Sequence, residues 1–157
     1  MSVQEYKIGE LSSLTDCPVE TIRYYEKQGL LPAPGRNQAN YRVYGPTHLK
    51  RLQFILHCRA LDMAQEEIRQ LVDLQERPEA PCTEVDALLD EHLTHVEARI
   101  QQLSHLRDVL RDLRRQCDNL GPVSECAILD QLEQRDFSEA SSQQDAHLGH
   151  VHGSHHN

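Results

Sequence analysis

Tryptophan is absent from the 157 residues, phenylalanine occurs twice and tyrosine five times. So few large rings argue against one big globular core and leave room for a small domain plus an extended helical element. No apolar run approaches the roughly 18 residues that a membrane-spanning helix needs, and no basic stretch leading into an apolar one follows Met1. The expectation is a cytoplasmic protein with no membrane partner. The cysteines number five, at 17, 58, 82, 117 and 126. An odd count suits a reducing compartment, with thiols in the core or on a metal rather than in a disulfide framework. A thiol enzyme would need a nucleophile beside a positioned base, and no Cys–His–acid set stands at such spacing. The expectation is that the chain is no enzyme.

Positive charge is scarce overall, with 16 Lys/Arg against 25 Asp/Glu and a net charge of −9. Its distribution matters more than its total. Residues 18–59 carry Arg23, Lys27, Arg36, Arg42, Lys50, Arg51 and Arg59 against only Glu20 and Glu26, whereas residues from 77 onward hold most of the acid. A local basic footprint of this kind suits phosphate, because counterion release depends on the charges at the contact.

In "YKIGELSSLTDCPVETIRYYEKQGLLPAP", Ile8, Leu11 and Leu14 recur at helical spacing and Thr15-Asp16 interrupts them. Pro18 fits a first helical position, Glu20 suits a helix N-terminus, and Gly29 with Pro32 marks a stop. Two short helices joined by a tight turn, a helix-turn-helix, follow, with Thr21, Arg23, Tyr24 and Lys27 on the polar side of the second. On periodicity alone any small helical hairpin fits as well. "RNQANYRVYG" reads as a turn and the second strand of a short basic hairpin, a wing. Pro46 opens a further helix to about Ala60, and "AQEEIRQLVDLQ" makes another. Cys17 and Cys58 read as small core residues.

"RPEAPC" is a proline-broken linker, after which Thr83 and Asp86 resemble a capping box. Positions 85, 89, 92, 96, 99, 103, 106, 110, 113 and 117, alternately four and three apart, hold seven aliphatic residues, a coiled-coil seam. A lone helix cannot bury such a stripe. The final segment is Ser/Gln-rich, carries five histidines and has no periodicity, so a disordered tail is expected. The expected organisation is a winged helix-turn-helix domain over 1–76, a linker over 77–82, a dimerisation helix over 83–117, a metal-binding loop and short helix over 118–135, and the tail over 136–157. The fold class is mainly α.

Together "YKIGELSSLTDCPVETIRYYEKQGLLPAPGRNQANYRVY", "LDM" followed by "EEI", the long helix, and cysteines at 82, 117 and 126 resemble the MerR family of metal-responsive transcriptional regulators, over residues 6 to about 132. Within it they are similar to the cadmium- and lead-responsive branch. The resemblance implies winged-helix homodimers joined by an antiparallel coiled coil. Such dimers hold double-stranded promoter DNA and, with metal bound, distort it so that RNA polymerase can use it. It also implies DNA contacts from Thr21, Arg23, Tyr24, Tyr25, Arg36, Tyr41, Arg42 and Tyr44, residue types that bind phosphates and guanine edges. The alternative for Tyr25 and Tyr41 is a packing role.

The same resemblance explains the thiols. Cys82 and Cys117 bracket one helix and lie about 50 Å apart within a chain, far beyond the roughly 2.3 Å of a thiolate–metal bond. If two such helices pair antiparallel, Cys82 of one meets Cys117 of the other, and the Gly121-Pro122 loop folds Cys126 over them. Three thiolates select soft ions. Within the family a cysteine at position 82 implies a divalent ion, here Cd(II) or Pb(II), with Zn(II) or Hg(II) as alternatives. The gap between Cys117 and Cys126 is longer than in the cadmium branch and leaves the choice open. A second site could draw on Glu67, His92, His95, His147, His150 and His152; the alternative is a polar seam residue, a solvated histidine and a nonspecific chelating tail. A metal-buffering protein would account for Cys and His but not for the basic winged segment.

Overall fold

The structure is a computed structural model that describes residues 3–117 and 120–138. It divides into two units, Met1–Ala80 and Pro81–Asn157, and each stands here by itself.

The first unit opens with α1 (Ile8–Thr15) and α2 (Val19–Lys27). Glu10 caps α1 from inside, its Oε1 accepting the Lys7 backbone N–H at 3.2 Å, a half capping box. After α1, Asp16 takes a left-handed φ of 54°, a conformation that Asp tolerates better than most side chains. Pro18 is the N-cap of α2 rather than its first helical residue, one position earlier than expected; its carbonyl accepts from the N–H groups of Thr21 and Ile22. Gly29, with φ of 74°, turns the chain after α2, a backbone position that favours glycine.

The wing is a two-stranded antiparallel ribbon, β1 (Gly35–Arg36) and β2 (Arg42–Val43), pairing Gly35 with Val43 and Arg36 with Arg42. Its turn is built by Asn37, whose Oδ1 accepts the Tyr41 N–H at 2.9 Å, and by Asn40 with φ of 65°. Tyr44 then bridges back to Tyr6, its N–H donating to the Tyr6 carbonyl at 2.9 Å and its own carbonyl accepting at 2.7 Å.

Two helices complete the unit, α3 (Pro46–Ala60) and α4 (Gln65–Gln75). Pro46 sits at the start of α3, where its missing N–H costs nothing. Glu67 caps α4, its Oε2 accepting the Ala64 N–H at 2.7 Å. The core joins Leu11, Ile22, Leu30, Leu31, Tyr44, Leu52, Ile55 and Ile68, all essentially inaccessible. Each aliphatic side chain so buried contributes about 1.5–3 kcal/mol over exposure. Cys17 and Cys58 belong to this core, and burial pushes both thiols up.

Tyr44 carries a testable consequence. Its ring is fully buried and its hydroxyl donates to the Glu26 carboxylate; burial first, then that bond, push the phenol far above its ordinary value. A pKa raised in the folded state stabilises fully below the unfolded value near 10 and loses that contribution as pH rises above it. Stability should therefore fall from about pH 10 upward. Tyr44→Phe should flatten part of that fall while costing about 1.5–3 kcal/mol at neutral pH, as read by urea unfolding across pH.

The second unit is built on α5 (Cys82–Arg115), followed by a single 3₁₀ turn (Val123–Glu125) and α6 (Ala127–Gln134), which packs back on α5. The expected Thr83 cap is corrected. Cys82 is already the first residue of α5, Pro81 is its N-cap, and no side chain caps it. A proline at that place presets φ near −68°, so the helix starts at the linker's edge without Thr83. Leu89, Val96, Leu103, Leu106 and Leu110 are exposed along α5. No described helix is long and apolar enough to cross a membrane.

Candidate nucleic-acid interface and metal site

On α2 the side chains of Arg23, Tyr24 and Lys27 are exposed and Thr21 is half-buried. Among the described residues Arg23, Lys27 and Lys50 form no ion pair, which leaves their charge to solvent or to a polyanion. The wing presents Arg36, Tyr41 and Arg42, all exposed. Arg36 is aimed by its own turn, Nη1 donating to the Asn40 carbonyl at 3.0 Å.

Two of the expected DNA contacts are corrected. Tyr25 is 8% exposed and Tyr44 fully buried. Burial raises the Tyr25 phenol, and the Tyr44 hydroxyl is given to Glu26. Both rings are spent on the core, because Tyr25 stands about 100° round a short amphipathic helix from Tyr24, on its inward edge, and Tyr44 closes the bridge to Tyr6. The basic count over 18–59 is likewise too generous. Arg51 donates to the Leu30 carbonyl at 3.2 Å and pairs with Glu76 at 3.1 Å, and Arg59 donates to the Met63 carbonyl at 2.9 Å. Those two guanidinium groups tie loops down.

Tyr24 is placed by a network that the sequence did not announce. Its hydroxyl donates to Gln65 Oε1 at 2.8 Å, Gln65 Nε2 donates to Gln28 Oε1 at 3.3 Å, and Arg69 Nη2 donates to the Gln28 carbonyl at 2.8 Å. Phosphate oxygens only accept, so the Tyr24 proton must leave Gln65 before it can reach one. Glu26 was missed as well. It is the carboxylate between α2 and the wing, taking the Tyr44 hydroxyl on one oxygen and lying 3.7 Å from Arg42 Nη1 on the other. The one signal was an acid standing directly before Lys27 in a segment with only one other acid, Glu20.

No disulfide joins the cysteines. Cys82 is exposed, while Cys117 and Cys126 are half-buried. Cys82 and Cys117 stand at opposite ends of the 34-residue α5, about 50 Å apart at the helical rise of 1.5 Å per residue. Cys126 is the N-cap of α6, its N–H donating to the Val123 carbonyl at 3.0 Å. Cys82 and Cys126 thus both stand at a helix N-terminus, the end that complements negative charge. Of the second candidate set, Glu67 caps α4 in the first unit, and His92 and His95 lie half-buried one turn apart on α5 in the second. His147, His150 and His152, with the rest of the expected tail from 139, lie outside the described residues.

A helix-turn-helix with a basic wing, joined to a long helix whose apolar stripe lies open, defines a DNA-binding regulator. Comparison with known proteins bears this out. The pattern of the "MerR HTH family regulatory protein" group matches residues 6–75, and that of "MerR, DNA binding" matches residues 49–113. A ZntR homolog of Haemophilus influenzae is 46% identical over 108 residues, 69% of this chain and 80% of its own length. ZntR of Escherichia coli K12 is 38% identical over 131 residues, 82% and 93% of the two chains. Among solved structures, the transcription regulator PbrR691 from Ralstonia metallidurans CH34 in complex with lead(II) is 49% identical, covers 81% of this chain and 98% of its own, and superposes with a TM-score of 0.72. The chain belongs to the MerR family of helix-turn-helix transcriptional regulators and is similar to its metal-responsive members; it is a regulator, not an enzyme.

Proposed function

We propose that this protein is a homodimeric transcriptional activator that senses a soft divalent heavy metal through Cys82, Cys117 and Cys126. One observation carries the reading: α5 holds an open apolar stripe between a thiol at its first residue and another just past its end. Its charges say how two copies pair. Residues 82–97 carry Glu84, Asp86, Asp90, Glu91 and Glu97 with no Lys or Arg, whereas residues 98–115 carry Arg99, Arg107, Arg111, Arg114 and Arg115 against Asp108 and Asp112. The groove on the second half is lined by Leu103, Leu106 and Leu110 and edged by Arg107, Arg111 and Arg114. Parallel pairing would set acid beside acid. Antiparallel pairing sets each acidic half against a basic one, the flanking-charge rule that orients coiled coils.

In that arrangement Cys82 of one protomer joins Cys117 and Cys126 of the other, twice per dimer. Three sulfur donors fit a soft ion and leave hard ions such as Mg(II) unsatisfied. Cd(II) or Pb(II) is the inducer that this donor set and the similarity to a lead(II)-bound relative favour. Arg23, Tyr24 and Thr21 of α2 and Arg36, Tyr41 and Arg42 of the wing contact promoter DNA. Thiolates clamped across protomers constrain the two DNA-binding units, which distorts the operator so that RNA polymerase can use it.

Transcription in vitro from a promoter carrying the operator that the protein selects tests the assignment. Cd(II), Pb(II), Zn(II) and Hg(II) are each supplied at buffered free concentrations. Cd(II) or Pb(II) should induce at the lowest free concentration, and monovalent copper or silver should not. Induction by monovalent ions alone would overturn it.

A further inference from the structure

Glu26 puts a carboxylate among Arg23 and Lys27 on α2 and Arg36 and Arg42 on the wing, while the other acid of α2, Glu20, stands exposed in the first turn of the helix. A bare carboxylate there would repel DNA phosphates. This one is not bare. Its side chain is only 11% exposed; one oxygen takes the hydroxyl of Tyr44 and the other lies 3.7 Å from Arg42 Nη1. Tyr44 is itself fixed, its ring in the core and its backbone bridged to Tyr6. Arg42, by contrast, keeps a side chain 47% exposed and has five N–H donors, more than its contacts with Glu26 and the Tyr44 hydroxyl use.

The wing's register supplies the second half of the argument. Arg36 and Arg42 are direct cross-strand partners, and like charges directly opposite each other destabilise a ribbon. The Glu26 carboxylate offsets that repulsion from the Arg42 side, while Arg36 is turned onto the Asn40 carbonyl. Two guanidinium groups are thereby held on a ribbon with two residues per strand.

We propose that Glu26 is a positioning residue for DNA binding: it touches no DNA, and by joining the recognition helix α2 to the wing it holds Arg42 with its remaining N–H groups toward a phosphate. The inference rests on the assignment of α2 and the wing to DNA given above.

Full-length protein is titrated by fluorescence anisotropy into a labelled duplex carrying the operator it selects from a random pool, across a series of salt concentrations. Glu26→Gln keeps an amide oxygen for the Tyr44 hydroxyl and removes only the charge that faces Arg42. It should fold, and bind about a hundredfold more weakly, because a symmetric dimer loses two charge-assisted contacts at about tenfold each. The salt slope should fall by about 1.8, since each lost phosphate contact removes about 0.9 and a symmetric dimer loses two. Arg42→Ala should show the same drop in slope. Glu26→Gln combined with Arg42→Ala should be no weaker than Arg42→Ala alone, because both act through one contact. Affinity unchanged or increased in Glu26→Gln, additive losses in the pair, or a Glu26→Gln chain that does not fold would each overturn the proposal. Arg42 is exposed, so its variant reads out in any case, and an unchanged slope there overturns it too. Arg23→Ala separates the two levels. If it weakens binding while Glu26→Gln does not, only the role of Glu26 falls. If Arg23→Ala and Arg42→Ala both leave affinity intact, the interface itself is wrong and the role of Glu26 falls with it.

Discussion

At a free cadmium concentration too low to fill a two-thiolate site, a mixed dimer of Cys82→Ser and Cys117→Ser chains should recover a sulfur-to-metal charge-transfer band at about half the wild-type amplitude, although neither variant alone shows it. Each homodimer lacks one of three sulfurs in both of its sites, and a soft ion held by two thiolates is bound far less tightly. In the mixed dimer one site receives both serines. The other joins the intact Cys82 of one chain to the intact Cys117 and Cys126 of its partner. The reason is length: α5 spans 34 residues, about 50 Å, so its two ends cannot share an ion within one chain. Differently tagged chains isolate the mixed species, and cadmium titration followed by ultraviolet absorbance reads the band. No recovery would mean that all ligands come from one chain, and the antiparallel pairing would have to be abandoned with the shared site.

Placing aspartate at both Leu103 and Leu110 should convert the protein to monomers and lower operator affinity by about a hundredfold or more, since the second half-site is then no longer bound intramolecularly. Both leucines are exposed within one chain, at 49% and 57%, so the first unit should still unfold cooperatively. In the dimer the four added carboxylates would stand in an apolar seam, where each unpaired charge costs several kcal/mol. Sedimentation equilibrium measures the mass and anisotropy the affinity. A variant that stays dimeric would show that the stripe on α5 is covered by something other than a second α5.

Helix periods, prolines and charge segregation were legible along the chain. Pro46 opens α3 and Ala60 closes it, as the apolar spacing implied, and the long unbroken helix and the short wing were both foreseeable from local pattern. The start of α2 moved by one residue at Pro18, because a proline serves as N-cap and as first helical residue on nearly the same local grounds, and α5 starts at Cys82 because Pro81 rather than Thr83 is its N-cap. Such shifts leave the elements intact. For Cys82 the shift matters, since it brings the thiol from the linker onto the helix itself.

What the amino-acid sequence determined by itself was therefore the family, the order of the helices, the core role of Cys17 and Cys58, and the separation of Cys82 from Cys117. Each of these depends on residues near one another in the chain or on a fixed rise per residue. Only the tertiary structure decided which polar groups remain available. Tyr25 and Tyr24 are neighbours in sequence, yet one lies in the core and the other gives its hydroxyl to Gln65, 41 positions away. Arg51 and Arg59 count as basic residues but are used on carbonyls of the same unit. Glu26 reads as a misplaced acid until the fold brings Tyr44 and Arg42 to it. A charge or a hydroxyl has no assigned partner in one dimension; packing brings distant groups within hydrogen-bond reach, and burial makes leaving one unpaired costly.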